Sequence, residues 1–199
     1  MLAVSWLNTQ IVYDGVVRLN GRTVTYATPE QRSRLGIHLL PGGRGVFGEM
    51  TVHENLQMGG FAYRGDRTEL RRRIARVFEL FPVLADARGR RADTLSGGQQ
   101  QMLALAIALL HDPEVLMIDE LSLGLAPVVV HELIQVVERL KADGVTMVVV
   151  EQSLNVAAAI ADRAVFMEKG QVRFEGPIAD LLARDDLARA VFLGGEVPA

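Results

Sequence analysis

A serine followed by two glycines, Leu95-Ser96-Gly97-Gly98-Gln99, stands directly before a helix-forming stretch from Gln99 to Leu110. That order of residue types suits an anion. Ser96 is a good N-cap, because its hydroxyl can accept a hydrogen bond from an amide of the first turn. Gly97 and Gly98 carry no side chain, so a ligand can come close to their backbone N–H groups. Those amides and the helix dipole together favour a phosphate. Further on, the apolar run Val115-Leu116-Met117-Ile118 ends in two acids, Asp119 and Glu120. A buried strand ending in adjacent carboxylates can place one on a metal ion and one on a water. Phosphoryl transfer to water needs those parts: a metal on the phosphates, donors for the developing charge and a positioned water. Asp119 is the candidate Mg2+ ligand, through water, and Glu120 the candidate general base. Alone, Ser-Gly-Gly is often a turn, and a single acid is usually a loop carboxylate. The two patterns on one chain outweigh that reading.

The Leu95–Gln99 stretch resembles the signature motif of ABC-type ATPases, and the acidic strand end resembles their Walker B motif. The resemblance spans nearly the whole chain from Ile11 onward. In that family the signature faces the nucleotide held by the opposite subunit. The resemblance therefore implies that Ser96, Gly97, Gly98 and Gln99 touch the γ-phosphate of a partner's ATP, and that the chain dimerises. Ser122-Leu123-Gly124-Leu125 sits where the family has the loop that crosses to the partner. Gln152 follows the last buried strand, where many members carry a switch histidine. A glutamine there can hydrogen-bond a phosphate or a water but carries no positive charge.

The wording narrows the resemblance. Gly43-Arg44-Gly45-Val46-Phe47, Thr51-Val52-His53-Glu54-Asn55-Leu56, Ser122 to Pro127 and Val150-Glu151-Gln152 look like the smaller ATP-binding subunit of branched-chain amino acid importers. Glutamine at the switch position is common there. That subfamily implies ATP and Mg2+ as cofactors and a second ABC ATPase subunit, as homodimer or heterodimer. It also implies two integral-membrane permeases and, indirectly, a periplasmic binding protein. The implied location is the cytoplasm, peripheral on the inner face of the plasma membrane through the permeases.

These residues need elements to hold them. The chain has 199 residues, 49% hydrophobic and 23% charged, which suits one domain with an ordinary core. A net charge of -3 argues against nucleic acid as a partner. There is no cysteine, so disulfides and thiolate metal sites are excluded. No apolar run is long enough for a membrane span, and Met1 to Trp6 lacks the basic residues of a signal peptide.

Met1 to Leu7 is helix-compatible. Asn20-Gly21 between short β-like runs predicts a hairpin turn. Thr28 caps a short helix with Pro29 at its first position, and Gly36 to Leu40 is a short buried strand. Thr51 with Glu54 makes a capping box. Thr68 to Phe81 is an amphipathic helix whose apolar face holds Leu70, Ile74, Val77, Phe78 and Phe81. The Arg71, Arg72, Arg73 and Arg76 run is either a nucleic-acid patch or a solvated face, and the latter is favoured.

Strands at Val115–Ile118, Thr146–Val150, Ala164–Met167 and Gln171–Phe174 alternate with helices at Pro127–Asp143 and Ser153–Ala161; the last two strands flank a turn at Lys169-Gly170, and a last helix follows Pro177. Thr146 to Val150 is continuously apolar and β-branched after its threonine, which suits a strand buried on both faces. His38, His53, His111 and His131 are scattered, without ligand spacing, and read as surface or capping residues.

The predicted fold is therefore α/β, a P-loop NTPase-like (ABC ATPase) mostly parallel sheet with an inserted helical lobe. Its parts are a remnant of the N-terminal core at residues 1–50, a helical signature lobe at 51–110 and a C-terminal α/β core at 111–199.

Three departures from the family stand out. No Gly-x-x-x-x-Gly-Lys-Ser/Thr pattern occurs, so the chain alone is not expected to bind ATP tightly. Met1 to Leu7 resembles the helix just after that loop, so an N-terminally truncated or mis-started product is expected. A gap, or a rearranged N-terminus, is expected between the Thr146–Val150 and Ala164–Met167 strands. Gly42 stands where the family has a glutamine or glutamate, and Leu121 where it has a proline. The alternative function is a catalytically inactive subunit that donates only its signature face to a partner ATPase. A DNA-repair or ribosome-associated ABC head domain lacks support, because there is no heptad run, basic bias or second cassette.

Overall fold

The computed structural model describes residues 15–42 and 45–184. The expected helix at Met1 to Leu7, the Val12–Asp14 run, Gly43 and Arg44 lie outside them. The chain divides into two compact units, Met1–Val150 and Glu151–Ala199.

In the first unit, β1 (Arg18–Leu19) and β2 (Arg22–Thr23) form an antiparallel hairpin. Its two turn residues, Asn20 and Gly21, have φ of 47° and 79°. Positive φ at both positions is what a type I′ turn requires, and Asn-Gly reaches it at low cost. Helix α1 (Pro29–Arg34) starts at a Thr28 cap, with Gln31 closing a capping box.

The parallel sheet follows. β3 (Ile37–Leu40), β4 (Val115–Asp119) and β5 (Thr146–Val150) pair in the order β3-β4-β5. Ile37 lies opposite Val115, and Val115 opposite Thr146. β4 is central, and its Leu116 and Ile118 are 0% and 1% exposed. Val24, Ile37 and Met117 share one buried cluster beneath it.

β5 departs from its sequence pattern. A run of four apolar residues predicts burial on both faces, yet Val148 is 42% exposed. The reason is position: β5 ends the described sheet and pairs only with β4.

Residues 52–109 are helical, as expected. They comprise α2 (Val52–Gly59), a 3-10 turn (Phe61–Tyr63), α3 (Arg67–Leu80), α4 (Pro82–Asp86), a second 3-10 turn (Ala92–Thr94) and α5 (Gly97–Leu109). Leu56, Leu84, Leu103 and Leu105 are fully buried among them. α3 is capped by Asp66, which accepts from the amides of Thr68 and Glu69. Its arginine run is not uniformly solvated. Arg73 is 15% exposed, pairs with Glu69 at 2.7 Å and Asp112 at 2.6 Å, and lies over the Tyr63 ring at 4.3 Å. A guanidinium held by two carboxylates, a carbonyl and a ring face is a structural tie rather than a phosphate-binding group.

α6 (Pro127–Ala142) follows β4 and ends before Gly144, whose φ of 86° fits the left-handed position after a helix.

Two of the histidines read as scattered meet in space. The His38 and His111 rings stack, with centroids 4.6 Å apart and planes 10° from parallel, and Tyr63 adds a ring 5.8 Å from His111. His111 Nε2 donates to the Gly59 carbonyl at 3.0 Å. Sequence spacing could not show this, because the two residues sit on β3 and just beyond α5. Among the described residues no cluster of three or more His, Cys, Asp or Glu could hold a metal.

In the second unit, α7 (Leu154–Ile160) is capped by Ser153. β6 (Arg163–Glu168) and β7 (Gln171–Pro177) form an antiparallel hairpin turning at Lys169 and Gly170, with φ of 48° and 79°. β7 runs on to Pro177 rather than ending at Phe174, because its pairing with β6 continues to Arg163 past a shift in register. α8 (Ile178–Leu182) begins at Pro177. Leu154 and Leu181 are buried together, against Phe166 and Phe174. No described helix is long and apolar enough to cross a membrane.

Candidate functional site

Ser96 caps α5, and its side-chain oxygen accepts from the Gln99 amide at 3.2 Å. Gln99 returns the bond, accepting from the Ser96 amide at 3.1 Å. This capping box draws both Ser96 and Gln99 into holding the turn. The next amides, of Gly97 and Gly98, belong to the first turn, where a helix offers no acceptor of its own.

Ser96 and Gly97 are exposed and Gly98 is buried. The two glycines differ in what surrounds them. A Cβ at Gly97 would touch only Leu125 Cδ2, at 3.8 Å. A Cβ at Gly98 would lie 2.3 Å from Val129 Cγ1. Gly98 is therefore small because α6 packs on it, not only to admit a ligand. That requirement could not be read without the tertiary contact. The outward parts of the corner are the Ser96 hydroxyl and the Gly97 backbone.

The acidic strand end forms a second cluster. Asp119 is the last residue of β4, and Glu120 follows with φ of 53°. A non-glycine residue in the left-handed region is uncommon and marks a constrained turn. The Glu120 amide donates to the Val150 carbonyl at 2.9 Å, which ties this turn to the end of β5. Leu121, where a proline was expected, is 0% exposed and anchors the loop from below. The loop then turns through Gly124 at φ 71°, with the Leu125 amide donating to Ser122. Leu123 remains 65% exposed beside it.

Gly42 lies against Asp119. A Cβ there would sit 3.1 Å from Asp119 Oδ2 and 3.4 Å from its carbonyl oxygen. The space next to the carboxylate is open because Gly42 has no side chain. Asp119 is the group there that could serve a divalent cation. Mg2+ commonly takes one or two carboxylates and fills its remaining positions with water and phosphate oxygens, so no larger acidic cluster is required.

Gln152 lies two residues beyond β5, at the start of the second unit. Its neighbour Glu151 accepts from the Ser153 amide at 3.4 Å, near the start of α7.

One residue gains weight only in the structure. Asn55, within α2, is fully buried. Its side chain accepts from the Phe47 amide at 2.8 Å and donates toward the carbonyls of Phe47 (2.9 Å), Met50 (3.3 Å) and Thr51 (3.0 Å). The available signal was an asparagine, a poor helix former, in a helix between glutamate and leucine.

A family model described as "ABC transporter" matches residues 4–122. A high-affinity branched-chain amino acid transport ATP-binding protein, BraG, of Pseudomonas aeruginosa is 40% identical over 181 residues, covering 91% of this chain and 76% of that one. A probable branched-chain amino acid transport ATP-binding protein, LivF, of Archaeoglobus fulgidus is 38% identical over 175 residues, covering 87% and 73%. Among solved structures, the ATP-binding cassette MJ1267 of an ABC transporter superposes with a TM-score of 0.80 at 25% identity, covering 90% of this chain and 77% of that one. Its ADP conformation superposes with a TM-score of 0.79.

Proposed function

Since the chain belongs to the ABC transporter ATPase family, we propose that it is an ATP-binding subunit energising import of branched-chain or related amino acids. The exposed Ser96–Gly97 corner at the head of α5 carries this reading. It offers a hydroxyl and helix-end amides to a phosphate, and both residues are exposed, so a second subunit can present one. The similarity to the two branched-chain amino acid transport proteins supports the cargo class.

In this reading the chain is one ATPase domain with residues 51–110 as its signature lobe. Ser96, Gly97, Gly98 and Gln99 contact the γ-phosphate of ATP held by a second ATPase subunit. Ser96 and Gln99 fix the turn through their mutual capping bonds, and the first-turn amides meet the charge. Asp119 would hold Mg2+ in the space that Gly42 leaves open; when bound, the ion neutralises charge on the phosphate oxygens. Glu120 takes a proton from the attacking water. Its left-handed backbone, tied to Val150, sets where that carboxylate begins. Gln152 hydrogen-bonds a phosphate or water as a neutral group. The assembly includes permease subunits and, indirectly, a periplasmic binding protein. The chain then works in the cytoplasm, peripheral on the inner membrane face.

One observation favours a second reading. Gly42 brings no side-chain ligand to Asp119, so the chain's own acidic site has one fewer group for metal or water. The second reading is a subunit that gives only its signature face. Both are tested in a reconstituted pair with a competent ATPase subunit. Gly97→Asp puts a carboxylate where the phosphate binds, and should lower turnover at least about tenfold through charge repulsion. Unchanged turnover would remove the signature role. Glu120→Gln separates the two readings: a fall to the partner site's share supports catalysis here, and full retention supports donation alone.

A further inference from the structure

We propose that Asn55 is a positioning residue for the signature corner, acting through the loop that follows β3. This deepens the proposed function and rests on it for its consequence in turnover. Its structural core stands apart from that reading.

The observations form a chain of hydrogen bonds. The four contacts of the Asn55 carboxamide, to Phe47, Met50 and Thr51, close the loop 47–51 around one buried side chain. That loop is joined in turn to residues 88–93. The Asp93 amide donates to Gly48, the Ala92 amide to Met50, the Val52 amide to Arg90 and the His53 amide to Arg88, all within 2.9–3.0 Å. Thr51 and Arg91 form an isolated antiparallel bridge at the centre. The Ala92–Thr94 turn leads directly into Leu95 and Ser96. Gln100, on the first turns of α5, donates from Nε2 to the Ala92 carbonyl at 2.8 Å and locks this turn to the signature helix.

The backbone before the phosphate corner is thus held by a ladder whose other rail is shaped by Asn55. Phe47, in the same loop, is 55% exposed. A displacement at Phe47 is transmitted to Ser96 only while the loop 47–51 keeps its shape. Asn55 supplies that stiffness. It does not touch the nucleotide. An apolar residue of equal size could fill the volume, but it would leave the Phe47 amide without its acceptor and the carbonyls of Phe47, Met50 and Thr51 with their backbone donors alone.

The test uses Asn55→Asp and Asn55→Ala in the whole chain. Aspartate keeps the size and the acceptor for Phe47, and loses the donors to three carbonyls. Amide hydrogen exchange is followed for Phe47, Ala92 and Asp93, with Leu116 and Met117 of β4 as controls. The expected result is at least about tenfold faster exchange at Ala92 and Asp93 in both variants, and at Phe47 in Asn55→Ala, where its acceptor is lost, with β4 unchanged. Equal acceleration in β4 would show a residue that merely supports the core, and unchanged exchange at Ala92 and Asp93 would show that the ladder does not depend on it; either overturns the proposal.

In the pair with a competent ATPase subunit, Asn55→Asp should lower kcat several-fold at an unchanged KM for ATP. A changed KM with constant kcat would overturn the positioning role. If Gly97→Asp has no effect in the same assay, it is the signature reading that falls, and the exchange result still decides whether Asn55 shapes Ala92 and Asp93.

Discussion

At the scale of single residues, size decides one position and protonation another. Gly98 is packed beneath Val129, so Gly98→Ala must push α5 from α6 or move that valine. We expect a loss of roughly 1–3 kcal/mol in urea unfolding. Val129→Ala in the same chain should recover part of it, because the two sites are in contact and their effects are not additive.

His38 gives a pH dependence. Burial is the main cause that lowers it from the usual histidine value to about 4, with the stacked His111 adding to the effect. His111 is also lowered, chiefly by burial, with Arg73 opposing and Asp112 favouring its proton. In the unfolded chain both titrate near ~6.5. A depressed folded value for a base means that the unfolded state binds the proton first. Stability from the neutral stack is complete above about pH 6.5 and declines as pH falls toward 4. His38→Gln should flatten that decline, read as the urea midpoint between those limits. A steeper decline would contradict a neutral stack.

At the scale of elements, caps and strand position dominate. Five described helices begin at Thr28, Thr51, Asp66, Ser96 and Ser153, each with a side chain accepting from the first turn. Ser96→Ala removes one such bond and should cost about 1 kcal/mol of stability, apart from any loss of phosphate contact. Ser96→Asp keeps the cap but adds a negative charge. It should restore stability and not turnover, which separates the two roles of one hydroxyl.

The strands offer a similar contrast. β4 is central and β5 ends the described sheet, although both read as apolar runs. Ile118→Ala should cost roughly 2–5 kcal/mol in urea unfolding, since Ile118 is 1% exposed. Val148→Thr, at 42% exposure, should stay within about 0.5 kcal/mol. A large cost at Val148 would mean that this face is covered.

At the scale of the whole molecule, the proposed function divides the chemistry between two subunits: the Ser96–Gly97 corner would meet nucleotide held by a partner, and Asp119 and Glu120 would serve a nucleotide on their own side. Titration with Mg2+ and ATP should show markedly tighter binding in a mixture with a competent ATPase subunit than with this chain alone. Equal affinity in both would count against ATP bound across two subunits.

Much of this was written in residue order. Hairpin turns at Asn20-Gly21 and Lys169-Gly170, helix starts at Thr28, Thr51 and Ser96, and the strand ending at Asp119 are all local matters. They depend on backbone preference and on partners within a few residues, so sequence alone determined them. The α/β class followed from the alternation of strands with helices. Four things were decided only by tertiary structure: the packing of Gly98 on Val129, the His38–His111 stack, the exposure of Val148 and the ladder behind Asn55. Each joins residues from different elements or depends on which strand lies at the sheet's end. Periodicity along a chain carries no information about either, because burial and long-range hydrogen bonds exist only once the elements have met.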